Sequence, residues 1–324
     1  MTYAYPRGPR IDLRMYGDWG TANFHTICGW LGAHLRWRSA PGSTFTVRTG
    51  SAYREGIEAV GRGDADFAIT TPIHAGVRWA VEGRHFYAGR AFPHLRTLGH
   101  LPQDDRLTLA LPAELGIRSF ADIRARKPRL KIATPWRDHD NLCSYVSDLV
   151  WRAHGIEPED ILAWGGEFWE HENPRACLKA AQQGVVNAVF NEAVMVPEWR
   201  QWVEKTPVHF IPIEPDAMHR LVHDYGLQAA EIEKGRLNNE QAVACLDWSS
   251  WALVVREDMP DDLAYRITSV LVEERAEFEA RFRHIPAHQS PLSYPIDPRR
   301  MPHGVGAPLH PGAERYYREH GHLD

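Results

Sequence analysis

The loop Pro135–Asn141, with sequence PWRDHDN, concentrates side chains that can hold a charged small molecule. It follows the predicted strand Leu130–Thr134 and precedes a predicted helix, whose N-terminal amides favour an anion. A guanidinium binds a carboxylate through two parallel hydrogen bonds. Arg137 is therefore the leading candidate to bind an acidic group on a ligand, with Asn141 beside it.

The same loop allows two other interpretations. Asp138 or Asp140 would cap the helix and pair with Arg137 at the surface, which leaves no role in ligand binding. His139 would serve as a general acid or base if the chain is an enzyme, because an imidazole exchanges protons near neutral pH.

Side chains after other predicted strands complete the candidate site. Hydroxyl, imidazole and amide groups there would orient a ligand, and flat aromatic rings would line its apolar part. The residues concerned are Thr70, Thr71 and His74 after one strand, Asn191 after another, and Trp19 and Trp136 on loops. The alternatives are a solvent-exposed histidine, a capping asparagine and tryptophans that pack in the core.

No metal site and no cofactor are expected. His219 and His223 have the i,i+4 spacing of a helix face, but they lack a HExxH pattern and an evident third ligand. The four cysteines form no CxxC pair and are expected to be packed thiols, although disulfides stay open. They are Cys28, Cys143, Cys177 and Cys245.

Composition indicates an ordinary globular protein of about two domains. The chain has 324 residues, 44% hydrophobic and 24% charged, and a net charge of −5 from interspersed charges. No basic face for nucleic acid is indicated. The first ten residues lack the apolar run of a secretory signal, so the chain as encoded is expected to be cytoplasmic, and periplasmic if the start is trimmed.

Short apolar runs alternate with amphipathic runs along the chain. Predicted strands are Ile11–Tyr16, Thr44–Thr49, Phe67–Thr70, Leu95–Leu98, Leu107–Leu111, Leu130–Thr134, Leu162–Trp164, Val185–Phe190 and Ala252–Val255. Predicted helices are Phe24–Leu35, Tyr53–Val60, Asn141–His154, Pro174–Gln183 and Asp261–Arg283. This order predicts an α/β fold with mainly parallel sheets flanked by helices, and ligand binding at the carboxyl ends of the strands.

The predicted domain organisation has two lobes. Residues 1–110 form the first part of lobe 1, residues 111–212 form lobe 2, and residues 213–324 return to lobe 1 with a C-terminal helix and a wrapping tail. The expected crossings lie near Leu109–Pro112 and between Ile211 and Trp251.

The C-terminal segment Pro308–Ala313, followed by Tyr316 and Tyr317, resembles the closing motif of the TAXI family of solute receptors from tripartite (TRAP) transporters. Segments 61–69 and 116–123 are similar to two further pieces of that family. The resemblance covers the chain from about Leu13 onwards. It implies a type II periplasmic-binding-protein fold.

The same resemblance marks where this chain departs from the family. The family's glycine-rich first loop corresponds to residues 17–25, which include Asn23, and its T-G-G-S segment to residues 49–53, which include Ser51. Both residues are therefore candidate ligand contacts. The second-lobe G-S-G-T loop is replaced by residues 135–141, which indicates a different ligand.

The leading hypothesis is a solute-binding protein whose lobes close over a small carboxylate, with a membrane transporter as partner if the chain is exported. The alternative is a cytoplasmic lyase, decarboxylase or hydrolase that acts on a small or aromatic acid on the same fold.

Overall fold

The computed structural model describes residues 8–18, 23–50, 53–138 and 140–324. The chain divides into two compact units. Unit 1 takes the described residues of 1–103 and 250–324, and unit 2 takes those of 104–249. The chain therefore leaves unit 1 after Gln103 and returns to it after Ser249.

Strands and helices alternate along most of the chain. The strands are β1 (Asp12–Tyr16), β2 (Thr44–Arg48), β3 (Phe67–Thr70), β4 (Leu95–Leu101), β5 (Arg106–Pro112), β6 (Lys131–Thr134), β7 (Glu167–Glu170), β8 (Ala188–Ala193), β9 (Val208–Ile211), β10 (Ala229–Ile232), β11 (Val243–Asp247) and β12 (Trp251–Arg256). The helices are α1 (Asn23–Trp37), α2 (Arg54–Arg62), α3 (Ala75–Glu82), α4 (Phe120–Arg126), α5 (Leu142–Ala153), α6 (Pro158–Ala163), α7 (Pro174–Gln182), α8 (Glu198–Lys205), α9 (Pro215–Tyr225), α10 (Asp261–Glu273), α11 (Arg275–Ala280) and α12 (Pro311–Glu319).

The sheet of unit 1 has the strand order β2-β1-β3-β12-β4. β1 is parallel to β2 and β3, whereas β12 is antiparallel to β3 and β4. In β1, Leu13 and Met15 are buried while Asp12 and Arg14 are exposed, which is the alternation of a half-buried strand. The buried face packs with helices α1 and α10 in one hydrophobic core.

The sheet of unit 2 has the order β10-β11-β5-β8-β6-β7, and β9 also pairs with β5. β6 is parallel to β7 and β8, and the other pairs are antiparallel. Trp199 and Trp202 of α8 pack with Val189 of β8 and Phe210 of β9 in its core.

The α/β fold with two sheets flanked by helices is confirmed, but the sheets are mixed rather than mainly parallel. The sequence pattern shows which segments are strands, whereas the direction of a strand depends on the end of the sheet at which the chain enters. β5 and β12 begin just after the two passages between units, without a helical crossover, and both run antiparallel to their neighbours.

Two predicted elements are wrong in type or extent. Residues 162–164, expected as a strand, end helix α6, because Pro158 opens that helix and Glu157 with Asp160 forms a capping box. The following strand is β7 instead. The predicted helix 261–283 is divided into α10 and α11 at Glu274, whose φ of −94° and ψ of 7° are not helical.

The unit boundaries also differ from the expected ones. Residues 213–249, expected to return to lobe 1, lie in unit 2, because β11 pairs with β10 and with the start of β5. The tail contacts β4 in unit 1, where Thr97 N donates to Pro308 O and His310 N donates to Thr97 O. In the described part of the chain, no helix is long and apolar enough to cross a membrane.

Candidate functional site

The loop before α5 holds its helix through Asn141. The Asn141 side-chain oxygen accepts hydrogen bonds from Cys143 N at 3.0 Å and Ser144 N at 3.3 Å, so Asn141 is the N-cap of α5. A capping side chain satisfies amides that would otherwise face an anion. Asn141 therefore already satisfies the two backbone donors nearest to the predicted ligand position.

Arg137 faces Asp148 on α5. Its NH1 and NH2 groups donate to Oδ1 and Oδ2 of Asp148 at 2.5 and 2.9 Å, and its guanidinium lies 4.0 Å from the centre of the Phe168 ring. The partners proposed from the sequence were Asp138 and Asp140, so the observed partner is a different carboxylate. Because Asp148 accepts from both terminal nitrogens of the guanidinium, an acidic ligand would have to displace Asp148 to bind there.

Burial raises the pKa of Asp148, and the adjacent Arg137 opposes that rise. The Arg137 backbone amide donates to Glu170 Oε2 at 2.8 Å, which ties the loop to the end of β7. These contacts give Arg137 a structural role in unit 2.

Asn191 lies on β8 and is buried, with 1% of its surface exposed. Its Oδ1 accepts from Glu192 N at 2.8 Å and lies 3.9 Å from Cys143 Sγ, whereas its Nδ2 has no hydrogen-bond partner. The Asn191 amide lowers the pKa of Cys177, although burial dominates and raises that pKa to about 12. The residue therefore belongs to a buried polar patch that it shares with two thiols.

The four cysteines are free and buried. Burial raises the pKa of each thiol, so each is a neutral packed side chain rather than a nucleophile.

Thr70 of unit 1 lies in a row of three residues that crosses three strands. Ala252 of β12 pairs with Thr70 of β3 on one side and with His100 of β4 on the other. Directly paired residues share one face of a sheet, and this face is opposite to the one that carries Trp251 and Leu253 into the core. Two strand spacings separate Thr70 from His100 by roughly 10 Å, and the small Ala252 lies between them.

Both outer members of this row carry a buried polar atom without a hydrogen-bond partner. These atoms are Oγ1 of Thr70 and Nδ1 of His100. Leaving such a group unsatisfied costs about 1–3 kcal/mol, so a ligand or water oxygen that accepts from it is stabilised.

Basic side chains lie near His100. Burial, together with charge repulsion from His74, Arg300 and His303, lowers its pKa to about 4. Arg300 and His303 belong to the C-terminal tail and are exposed. We call Thr70, His74, His100, Arg300 and His303 the His100 cluster. Its electrostatics favour an anion.

The remaining predicted residues are less informative. Thr71 is buried beside Thr70. Asn23 begins α1, whose first amides donate to Asp18: Phe24 N at 2.9 Å and His25 N at 3.3 Å. Trp136 is 44% exposed. Trp19, Ser51 and His139 lie outside the described residues.

Two histidine groups bear on metal binding. The rings of His219 and His223 stack 5.7 Å apart, with no third ligand beside them in the described chain. His34, Glu274 and Glu277 form the only described group with metal-like spacing. His34 however contacts a different carboxylate with each ring nitrogen, and Arg38 donates to Glu274 at 2.5 Å, which is the pattern of an ion-pair network.

Sequence reasoning missed His100, Arg300 and His303. The strand pattern of β4 was visible, but its partner β12 is about 150 residues away and the tail is further still. No local signal therefore joins these residues to Thr70.

The chain is similar in structure to the R. palustris protein Rpa4515, solved with adipate. The match covers 97% of this chain and 96% of that protein, at 14% sequence identity and a TM-score of 0.49. It is also similar to PhnD1 from Prochlorococcus marinus, solved with methylphosphonate. That match covers 96% of this chain and 98% of PhnD1, at 10% identity and a TM-score of 0.49. A third match is the periplasmic aliphatic sulphonate binding protein SsuA from Escherichia coli. It covers 95% of this chain and 87% of SsuA, at 14% identity and a TM-score of 0.41.

The family comparison is more decisive, since one family model matches residues 31–321, which is most of the chain. It does not single out the TAXI receptors suggested by the C-terminal motif. The chain belongs to the NMT1-like family.

Proposed function

We propose that this protein binds a small anionic solute, and that the His100 cluster of unit 1 holds the charged group. The observation that carries the proposal is the pair of buried, unpaired atoms, Thr70 Oγ1 and His100 Nδ1, on either side of Ala252. A carboxylate has two oxygens and accepts from a hydroxyl and from an imidazole N–H.

The charges around this row support an anion over a neutral or cationic solute. His74, Arg300 and His303 all disfavour a proton on His100, and the guanidinium of Arg300 carries a fixed positive charge that attracts an anion. The hydroxyl of Thr70 is uncharged and would fix orientation. A carboxylate is the simplest group that meets these conditions, which agrees with the charge type expected from the sequence but not with its location at Arg137.

A solute-binding role implies a partner that receives the solute. We propose a membrane transporter, with the protein located outside the cytoplasm. The TAXI-like C-terminal motif favours a TRAP transporter. Closure of two lobes over the solute, expected from the sequence, stays a prediction.

The test is calorimetry with succinate, adipate, benzoate and methanesulfonate, after mass spectrometry of small molecules that copurify with the protein. Thr70→Val removes the hydroxyl at constant shape and is expected to weaken binding about five- to tenfold. His100→Gln removes the ring and is expected to weaken it by at least about tenfold.

Thr268→Val is the matched control, because Thr268 is a buried threonine of the same unit whose hydroxyl donates to Ala264 O within α10. It should leave anion affinity unchanged. Equal affinity in Thr70→Val, His100→Gln and the wild type would refute the proposed site, and no binding by any of the four anions at millimolar concentration would refute the proposed ligand class.

A further inference from the structure

Unit 2 contains a cavity of about 580 Å³ that shares no residue with the candidate site. One wall is the strand β9 with its flanking prolines, Pro207 and Pro212, and the other is the loop 237–243 that leads into β11. Arg118 also lines the cavity. The volume lies in the range of sites that bind small ligands and short peptide segments.

The loop wall is preformed. The Asn239 side-chain amide donates to the backbone oxygens of Ile232, Glu233 and Gln241 at 3.3, 3.0 and 2.7 Å, and its oxygen accepts from Leu237 N at 3.0 Å. One buried side chain thus fixes the loop from both sides, so the groove needs no rearrangement to stay open.

The other wall is a free strand edge. β9 pairs with β5 in the antiparallel register Leu109↔Ile211 to Pro112↔Val208, and β9 has no other strand partner among the described residues. Ala113 N donates to Pro207 O at 2.8 Å, which extends the same register by one hydrogen-bonded pair.

This bond fixes the direction of every backbone group on β9. In an antiparallel ladder, hydrogen-bonded and non-hydrogen-bonded pairs alternate. The pairs Leu111–His209 and Leu109–Ile211 are therefore hydrogen-bonded, whereas the pairs that contain Val208 and Phe210 are not. The N–H and C=O groups of Val208 and Phe210 consequently point away from β5, towards the cavity that both residues line.

The titratable groups beside β9 are Arg118, His209 and, on the loop wall, Glu240. The Arg118 side chain forms no ion pair in the described structure, and burial together with Arg118 lowers the pKa of His209, which Glu240 opposes. His209 is therefore a neutral hydrogen-bonding group at pH 7, while Arg118 provides a fixed positive charge at the β9 side of the groove.

We propose that the β9 edge binds an extended peptide segment by strand addition, with Arg118 taking an acidic side chain of that peptide. Four outward backbone groups, two from each of Val208 and Phe210, are available for pairing. A strand edge without a partner strand is a template for another chain, and the preformed cavity lies beside this edge. The partner is an extended acidic peptide, and this site is separate from the anion site proposed for unit 1.

The probe is the peptide acetyl-valyl-glutamyl-valine amide, titrated into the full chain by calorimetry. Three compounds separate the contributions: the glutaminyl analogue removes the charge, the N-methylated glutamyl analogue removes one backbone donor, and glutarate supplies an acid without a strand. The first two changes are each expected to weaken binding about five- to tenfold, and glutarate is expected not to bind.

Arg118→Gln should weaken the acidic peptide about tenfold and leave the glutaminyl analogue unchanged, whereas Arg129→Gln, another exposed arginine of unit 2, should change neither. Amide exchange gives an independent readout: the Val208 and Phe210 amides should exchange fast in the free protein and slowly with peptide, while those of His209 and Ile211 are slow in both. Glutarate binding as tight as the peptide, equal affinity for the N-methylated peptide, or unchanged Val208 and Phe210 exchange would each overturn the proposal.

Discussion

Replacing Arg137 with alanine should destabilise unit 2 rather than abolish ligand binding. In the structure Arg137 forms a two-pronged pair with Asp148 and stacks over Phe168, whereas the sequence alone favoured a ligand contact. The two hypotheses predict different observables, so one variant separates them.

The magnitude follows from burial. The side chains of Arg137 and Asp148 are 19% and 18% exposed, between a surface pair worth about 0–1 kcal/mol and a fully buried pair whose disruption costs about 3–5 kcal/mol. The contact with Phe168 adds about 0.5–1 kcal/mol. We expect Arg137→Ala to lower the free energy of unfolding by about 2 kcal/mol.

The loss should depend on pH. Burial raises the native pKa of Asp148 above its ordinary value of 3.8. The native state then holds this proton more tightly than the unfolded chain does, so this group's contribution to stability falls as the pH rises from 3.8 through the native pKa. Removing Arg137 raises that pKa further, so the deficit of Arg137→Ala is largest at neutral pH and smallest below about pH 4.

Urea denaturation of the wild type, Arg137→Ala, Asp148→Asn and the double variant measures the pair directly. A coupling free energy of about 1 kcal/mol or more is expected. Additive losses, or a loss that is the same at pH 4 and pH 7, would refute the assigned pairing. Unchanged stability with strongly weakened anion binding would restore the ligand role of Arg137.

Three further results are expected. Asn141→Ala removes the cap of α5 and should lower the free energy of unfolding by about 1 kcal/mol in urea denaturation, with Asn141→Asp close to wild type. The thiols should resist dithionitrobenzoate in the native protein and react after unfolding, because burial raises their pKa values; rapid reaction of even one in the native state would contradict its packing. Binding of methanesulfonate, whose charge is constant, should take up protons and tighten as the pH falls towards 4, since an anion raises the pKa of His100 from about 4. A pH-independent affinity would separate the anion from His100.

Local pattern was sufficient for much of the fold. The strand at Phe67–Thr70 has the bounds that the sequence predicts, and α5 begins one residue after the expected start because Asn141 is its cap. The strand predicted at residues 162–164 was wrong because a short apolar run fits a helix end as well as a strand. The helix start at Pro158 was the stronger signal.

The candidate site divides in the same way. The sequence placed Thr70 at the end of a strand, where the structure also has it, because a polar residue at the end of a buried run is a local feature. Asn191, expected just after a strand, lies within β8, which continues to Ala193. The sequence identified Arg137 as a cation able to form two parallel hydrogen bonds. Its partner, Asp148, is eleven residues away on α5, so the sequence left the role of Arg137 open.

The sequence by itself determined that this chain alternates strands and helices and that a polar residue ends the strand at Thr70, since each depends on neighbours within a few turns of chain. Whether the four cysteines pair was open, and the structure shows them free and buried. Only the tertiary structure decided what lies beside Thr70. β12 enters the sheet between β3 and β4 and so sets His100 across Ala252 from Thr70, and the tail brings Arg300 and His303 to the same place. Contacts between residues so far apart in the chain follow from strand order and direction, which the hydrophobic pattern of a single strand does not encode.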